Sequence, residues 1–341
     1  MSKKAEQTPR RKATASDVAR LAGVSKWTVS RAFTPGASIS DNAREQVLAI
    51  AKELGYRPNL LARSLSQKRT QIIGVAIDQM KNPHSTLVLD VVTRQLQARG
   101  YMALLLNVTE GRHYQSVMAM ADQLQVDGIL FIGTILTDEL IAMARELHNI
   151  PLIQVCRHND AQDKDIDTVN IDGFAAGRQI GELLLAQGYQ RFGYMKGPDT
   201  ASHHLLRLEG YQDALRAAGK PLDVHLIAGH YERELGYQQM TQYLASVSER
   251  ECVDAMFCEN DILAIGALEA LRDCGKSGRV AIVGFDDIDE ASAWKLTSFS
   301  QGMDKLIHEA LNRLIEGNAT SEGEWQRGAL RVRQSHLKKA Q

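Results

Sequence analysis

The chain has 341 residues, 44% of them hydrophobic, enough to bury a large core and to fill two or three domains. Its net charge of −1 hides an imbalance: residues 1–69 hold 14 Lys and Arg against 5 Asp and Glu, while the remainder holds 26 against 36. No run approaches the roughly 18 apolar residues of a membrane span. The opening residues carry no apolar secretory stretch, and Cys156, Cys252, Cys258 and Cys274 form no C-x-x-C pair. These features argue against a membrane or disulfide-stapled secreted protein and for a cytoplasmic one with reduced thiols.

A basic head on an acidic body predicts a polyanion partner for the head; a solvated basic tail is the plainer alternative. Residues 1–13 read as a disordered basic leader, with Lys3, Lys4 and Arg10 to Lys12 in polar surroundings. From 14 to 57 the pattern predicts an all-α unit of short helices. Thr14 or Ser16 can cap the first, whose apolar positions are Val18, Ala19, Leu21 and Ala22. Gly23 can take the left-handed conformation that ends it. Ser25 caps the second, with Val29, Ala32 and Phe33 inward and Lys26, Trp27, Ser30 and Arg31 on or near the outer face. A third runs from Asp41 to Leu54 behind Ser40. This is a helix-turn-helix whose second helix is sized for the DNA major groove, where its N-terminal residues meet base edges.

Residues 58–70 read as a hinge. Pro58 opens it, and Asn59 to Leu65 can form two helical turns, too few to be stable in water without a partner; a plain linker is the alternative. From 71 onward apolar strands alternate with helical patterns. The strands are 71–77, 102–108, 128–133, 151–156, 192–197, 225–229, 255–259 and 280–286, and helical patterns lie between them, for example at 84–99, 174–187, 205–218 and 261–274. Short apolar strands between amphipathic helices predict an α/β fold of two doubly wound parallel-sheet units, with a ligand cleft at the C-terminal strand ends.

Several stretches together resemble the lac-repressor-type (LacI/GalR) bacterial regulators. They are "SDVARLAGVSKWTVSRAF", "LGYRPNLLARSLSQKRTQIIGV", Asn82–Pro83, "RLEGY" at 207–211, "AMFCENDILAIGALEAL" at 255–271 and "VAIVGFDDID" at 280–289. The resemblance covers nearly the whole chain after the leader. It implies two periplasmic-binding-protein-like subdomains joined by three crossovers within an effector-binding and dimerisation domain at 71–335. The first takes about 71–169 plus 299–325; the second takes about 170–298 plus 326–335. It assigns Lys26 and Trp27 to operator preference, Arg31 to a guanine, Thr28 and Ser30 to phosphates, and Ser25, Asn59, Ala62 and Leu65 to the DNA-binding set. Leu65 is the wedge that enters a central minor-groove step. Trp27 has two readings: contact with a thymine methyl or sugar edge, or packing back on the small core.

For the effector the resemblance implies Arg207, Asp286, Asn260 and Tyr231, with Asp261 capping the helix after Asn260. Asp286 can alternatively cap a turn, and Tyr231 can be rim packing. His84 and Ser85 replace the family's usual aromatics after Asn82–Pro83, and Cys156–Arg157 replaces an acidic or small polar residue. With His203 or His204, these make the pocket cationic and hydroxyl-friendly, so the expected effector is a sugar, sugar acid or sugar phosphate rather than a flat purine.

The function read from all this is a DNA-binding repressor under effector control, acting as a cytoplasmic homodimer. With no extended leucine heptad tail of the kind that makes a relative tetrameric, a dimer is expected. A corepressor-dependent or dual activator–repressor is the alternative within the family, and a cytosolic solute-binding protein lies outside it. No nucleotide-cradling glycine motif, catalytic triad motif or metal-ligand spacing is present, so no enzyme activity, cofactor or metal is expected. The operator is expected to be a pseudo-palindrome with a central C-G step. Arg31→Ala is expected to weaken operator binding by roughly 1–3 kcal/mol in a titration; equal affinities would remove Arg31 from the reading set.

Overall fold

The computed structural model describes residues 12–34, 36–58, 69–77, 80–108, 114–133, 142, 150–156, 167–198, 205–317 and 327–338. Asn59, Ala62, Leu65, Arg157, His203, His204 and most of the leader lie outside the described residues. The chain divides into two units, Met1–Thr70 and Gln71–Gln341.

In the first unit Thr14 caps α1 (Ala15–Ala22) through a reciprocal box. The Asp17 N–H donates to Thr14 Oγ1 at 3.3 Å, and the Thr14 N–H donates to Asp17 Oδ2 at 3.0 Å. Gly23, at φ 63°, ends that helix. Ser25 caps α2 (Lys26–Ala32), and Ser40 caps α3 (Asp41–Leu54). Val18, Ala22, Val29, Ala32, Val47 and Ala51 close a small core. The Arg44 guanidinium donates to the carbonyls of Ala32, Thr34 and Ala37 at 2.9–3.3 Å, which fixes the turn after α2.

The second unit contains two sheets. The first comprises β1 (Ile72–Ile77), β2 (Met102–Asn107), β3 (Gly128–Ile132), β4 (Leu152–Val155) and β5 (Asp167–Val169), all parallel in the order β2-β1-β3-β4-β5. Helices α4 (Pro83–Ala98) and α5 (Tyr114–Gln123) connect its early strands. Then come α6 (Gly173–Ala186), β6 (Phe192–Lys196), α7 (Arg207–Ala217), β7 (Val224–Ile227), α8 (Arg233–Ser246) and β8 (Ala255–Cys258). The order continues with α9 (Asp261–Asp273), β9 (Ala281–Phe285), α10 (Asp289–Ala293), β10 (Thr297–Ser300), α11 (Met303–Glu316) and β11 (Ala329–Arg331). The second sheet runs β11-β10-β9-β8-β6-β7, with only β11 antiparallel. Strands β3, β6, β8 and β9 are buried throughout, because helices cover both faces, and so they read as unbroken apolar runs.

Two differences from the sequence reading stand out. β10 pairs with β9, and its Phe299 stacks on Phe285 at 5.1 Å, so the crossing to the first sheet follows Ser300 rather than 298. Helix α11 then packs on β3, β4 and β5. The strands "DTV" and "TSFS" were not read from the sequence, and the helices α5 and α8 fall where helical patterns were expected between strands but were given no bounds. The strands are short and hydroxyl-rich, and α8 carries its buried residues, Gly236, Met240, Tyr243 and Leu244, in a mostly polar sequence.

Glycine sets how closely the helices approach. A Cβ on Gly173 would overlap the Leu205 carbonyl oxygen, and one on Gly177 would overlap that of Arg207. On α7, a Cβ on Gly210 would meet the Phe174 carbonyl. Helices α6 and α7 therefore touch backbone to backbone, which places the start of α7, and with it Arg207. Gly236 and Gly266 make the same seam between α8 and α9. Gly177→Ala is expected to destabilise the protein by about 1–3 kcal/mol, read as a lower urea midpoint; an unchanged midpoint contradicts the close approach.

Candidate functional site

The C-terminal ends of strands from both sheets open onto a cleft of about 460 Å³, part of it open to solvent. The first subdomain contributes Asn82, His84 and Ser85 from the start of α4, Gly133 after β3 and Cys156 after β4. The second contributes Arg207 at the start of α7, Tyr231, Asn260 after β8 and Asp286 after β9. Gln301 reaches the cleft from the crossing between them. Of the six effector candidates from the sequence, five converge here, and Arg157 is outside the described residues.

Asp286 is the meeting point. Its backbone holds φ 104° and that of Asp287 φ 56°, left-handed conformations that side-chain-bearing residues rarely adopt. The Gln301 amide Nε2 donates to Asp286 Oδ1 at 2.7 Å. Arg207 Nη2 lies 3.9 Å from the same oxygen and His84 Nδ1 3.8 Å from it. Arg207 is 6% exposed, donates from Nη1 to the Glu259 carbonyl at 2.6 Å, and stacks over the Phe285 ring at 3.6 Å. Phe285 belongs to an aromatic row with Phe257 and Phe299 across the second sheet. One carboxylate acceptor and one guanidinium donor are thus held side by side on a rigid floor.

His84 is buried, and that burial pushes its pKa down; Arg207 adds to the effect and Asp286 opposes it. The imidazole is therefore neutral at neutral pH. Among the described residues the cleft is close to electrically balanced, with the Arg207 charge facing that of Asp286. Arg207 is the cationic side chain among the described lining residues, and Arg157, His203 and His204 lie outside them. Among the described residues His84 Nδ1 and Gln301 Oε1 are buried with no hydrogen-bond partner, so a ligand with hydroxyls satisfies groups that are costly to leave unpaired.

The remaining candidates do more than line the wall. Asn260 caps α9 by accepting from the Leu263 N–H at 3.1 Å, leaving its amide N–H₂ for the cleft. Asp261 is not the cap. It is buried in the first turn of α9, where Oδ2 accepts from the Ile288 N–H at 2.9 Å, and burial together with the Asp286 charge pushes its pKa up. The Tyr231 hydroxyl donates to Glu259 Oε2 at 2.7 Å, so its hydroxyl is committed and the rest of the ring lines the cleft. Burial, then the Glu259 charge, raise the Tyr231 pKa well above the usual phenol range. Glu259 is fully buried and also accepts from the Tyr194 hydroxyl and the Gly197 N–H. Sequence reasoning missed Glu259 and Gln301: the first lies inside a motif that reads as a strand end, and the second follows a strand the pattern did not show.

In the first unit, α2 presents Lys26, Trp27 and Ser30 to solvent. Trp27 is 66% exposed, outside the small core. The Ser25 and Thr28 hydroxyls lie 2.9 Å apart, and Ser25 Oγ accepts from the Thr28 N–H, so both belong to the cap. The Arg31 guanidinium lies over the Trp27 ring, 4.1 Å from its centroid. Among the described residues no helix is long and apolar enough to cross a membrane, and no cluster of His, Cys, Asp and Glu could hold a metal ion.

Residues 14–59 match the model of bacterial regulatory proteins of the lacI family. Residues 70–313 match that of periplasmic binding proteins and the sugar-binding domain of the same family. The chain belongs to the LacI family of bacterial transcriptional regulators. It is 31% identical to the transcriptional repressor PurR of Proteus mirabilis over 310 residues, 89% of this chain and 90% of that one. The crystal structure of the lac repressor dimer bound to operator and an anti-inducer superposes with a TM-score of 0.82 at 25% identity, covering 96% of this chain and all of that one. The regulator CelR in complex with cellobiose superposes at 0.66 with 26% identity, covering 95% and 99%. These relatives are regulators rather than enzymes. The LacI-family chain described here has the same order of parts, a helix-turn-helix unit followed by a two-sheet ligand domain.

Proposed function

We propose that this LacI-family regulator represses transcription as a cytoplasmic homodimer whose operator affinity is set by a small polyhydroxylated effector in the cleft. The observation that carries the ligand class is Arg207 beside Asp286. A pair of adjacent hydroxyls donates to the carboxylate and accepts from the guanidinium, and a neutral His84, Gln301 and Asn260 serve further hydroxyls. A flat base needs stacking faces, and besides the His84 imidazole Tyr231 is the one aromatic ring among the described lining residues. The class is therefore a sugar, sugar acid or sugar phosphate. An acid or phosphate group calls for a cation besides Arg207, and Arg157, His203 and His204 are the residues the sequence offers.

Lys26, Trp27, Ser30 and Arg31 supply the base- and backbone-facing groups of the operator reader, supported by their place on or near one side of α2, where Lys26, Trp27 and Ser30 are exposed and Arg31 is half-buried. Ser25 and Thr28 set the helix N-terminus toward the phosphates. Asn59, Ala62 and Leu65 complete the DNA-binding set through the hinge. Effector contacts that differ between open and closed cleft shift the population of the operator-binding form. Inducer and corepressor differ only in which form the ligand prefers.

Calorimetry of the full chain against neutral sugars, sugar acids, sugar phosphates and purine bases tests the ligand class. A member of the sugar classes is expected to bind, and Asp286→Asn to weaken it roughly 10- to 100-fold, the loss of one hydrogen bond to a charged group. Tight binding of a purine base, with none of the sugars or their acids, overturns the assignment.

A further inference from the structure

Trp27 is the largest exposed apolar side chain of the first unit, and it stands one helical turn before Arg31 on α2. The guanidinium lies over the indole ring, with its carbon 4.1 Å from the ring centroid. Among the described residues Arg31 makes no ion pair and its side chain makes no hydrogen bond, so the indole is the group that holds the guanidinium in place.

We propose that Trp27 is a positioning residue for operator specificity, acting through Arg31 by stacking. This rests on the reading of Arg31 as a base reader. All five N–H donors of a guanidinium lie in its plane, while its two faces make no hydrogen bonds. An indole on one face therefore restrains the side chain without occupying a donor. The in-plane edge stays free for the bidentate contact that a guanine O6 and N7 accept. A long arginine that docks from solvent must give up its rotamer freedom on binding; one already stacked has given up part of it beforehand. The flanking hydroxyls of Ser25 and Thr28 are tied to the helix cap and do not compete for the guanidinium. On this view Trp27 contributes sharpness at the guanine position, and Lys26 is left as the reader at the helix N-terminus.

The test is a double-mutant cycle on the full-length protein. The probe is an operator duplex recovered from a random library, titrated by fluorescence anisotropy. Trp27→Ala is expected to weaken binding about two- to fivefold, the range of an exposed cation–π contact, and to change little when Arg31 is already alanine. Trp27→Phe, which keeps an aromatic face, is expected to retain most of the affinity. Trp27→Leu, which keeps apolar bulk alone, is expected to behave like alanine. Replacing the critical guanine by 7-deazaguanine is expected to cost wild type more than Trp27→Ala. An equal loss from Trp27→Ala in both backgrounds overturns the proposal, since Trp27 would then act independently of Arg31. So does a Leu variant that matches Phe. Arg31→Ala binding like wild type would fail in a different place, by removing Arg31 as a reader.

Discussion

A carboxylate buried at the end of a strand organises the ligand domain. Asp286 is 9% exposed and sits beyond β9 in a backbone conformation that costs free energy, and groups from three separate places converge on one of its oxygens. Gln301 arrives from the crossing, His84 from the first subdomain and Arg207 from the second. Removing water from a carboxylate and a guanidinium is expensive, and the attraction between them repays it only when other polar groups complete the shell. Among the described residues the shell is incomplete: His84 Nδ1 and Gln301 Oε1 have no partner there. A hydroxyl-bearing ligand that bridges the two subdomains completes it, and that is the physical reason a ligand can influence how the subdomains meet.

The placement of Arg207 depends on parts with no polar chemistry of their own. The glycines of α6 and α7 bring the helix backbones into contact, which sets where α7 begins. Phe285 then supports the guanidinium face, and the Glu259 carbonyl takes one of its N–H groups. Glu259 in turn ties Tyr194, Tyr231 and Gly197 together below the cleft. Chemistry at the surface of the pocket is thus fixed by packing one layer beneath it, where small residues and aromatic rings leave little room to shift.

Much of this was legible in the sequence. Apolar runs such as "AIVGF" announced buried parallel strands, and Thr14, Ser25 and Ser40 with the glycine at 23 marked helix ends of the first unit. The motif residues Arg207, Asn260 and Asp286 fell at strand and helix ends, where an α/β fold places ligands. What failed had physical causes. "TSFS" is a strand because Phe299 stacks within the sheet and its hydroxyls bond to neighbours, as when the Asp287 N–H donates to Ser298 Oγ; neither is visible in a hydropathy pattern. Gln301 entered the site only because that strand delivers it. Asn260 took the cap expected of Asp261 while keeping its place in the cleft: either can cap a helix, and the choice goes with Ile288, far along the chain, engaging Asp261.

The two units answer different demands on one chain. The first is a small core pinned by helix caps and by Arg44; the second is a larger acidic body built around a polar cleft. Their coupling is what makes the protein a regulator, and it is most directly read on DNA. Selection of bound duplexes from a random library by the full-length protein, with and without a panel of sugars, sugar acids and sugar phosphates, is the decisive measurement. A two-fold symmetric site with a central C-G step, enriched under one condition and lost under the other, is the result expected. Enrichment of no sequence under any condition would contradict a ligand-controlled operator binder.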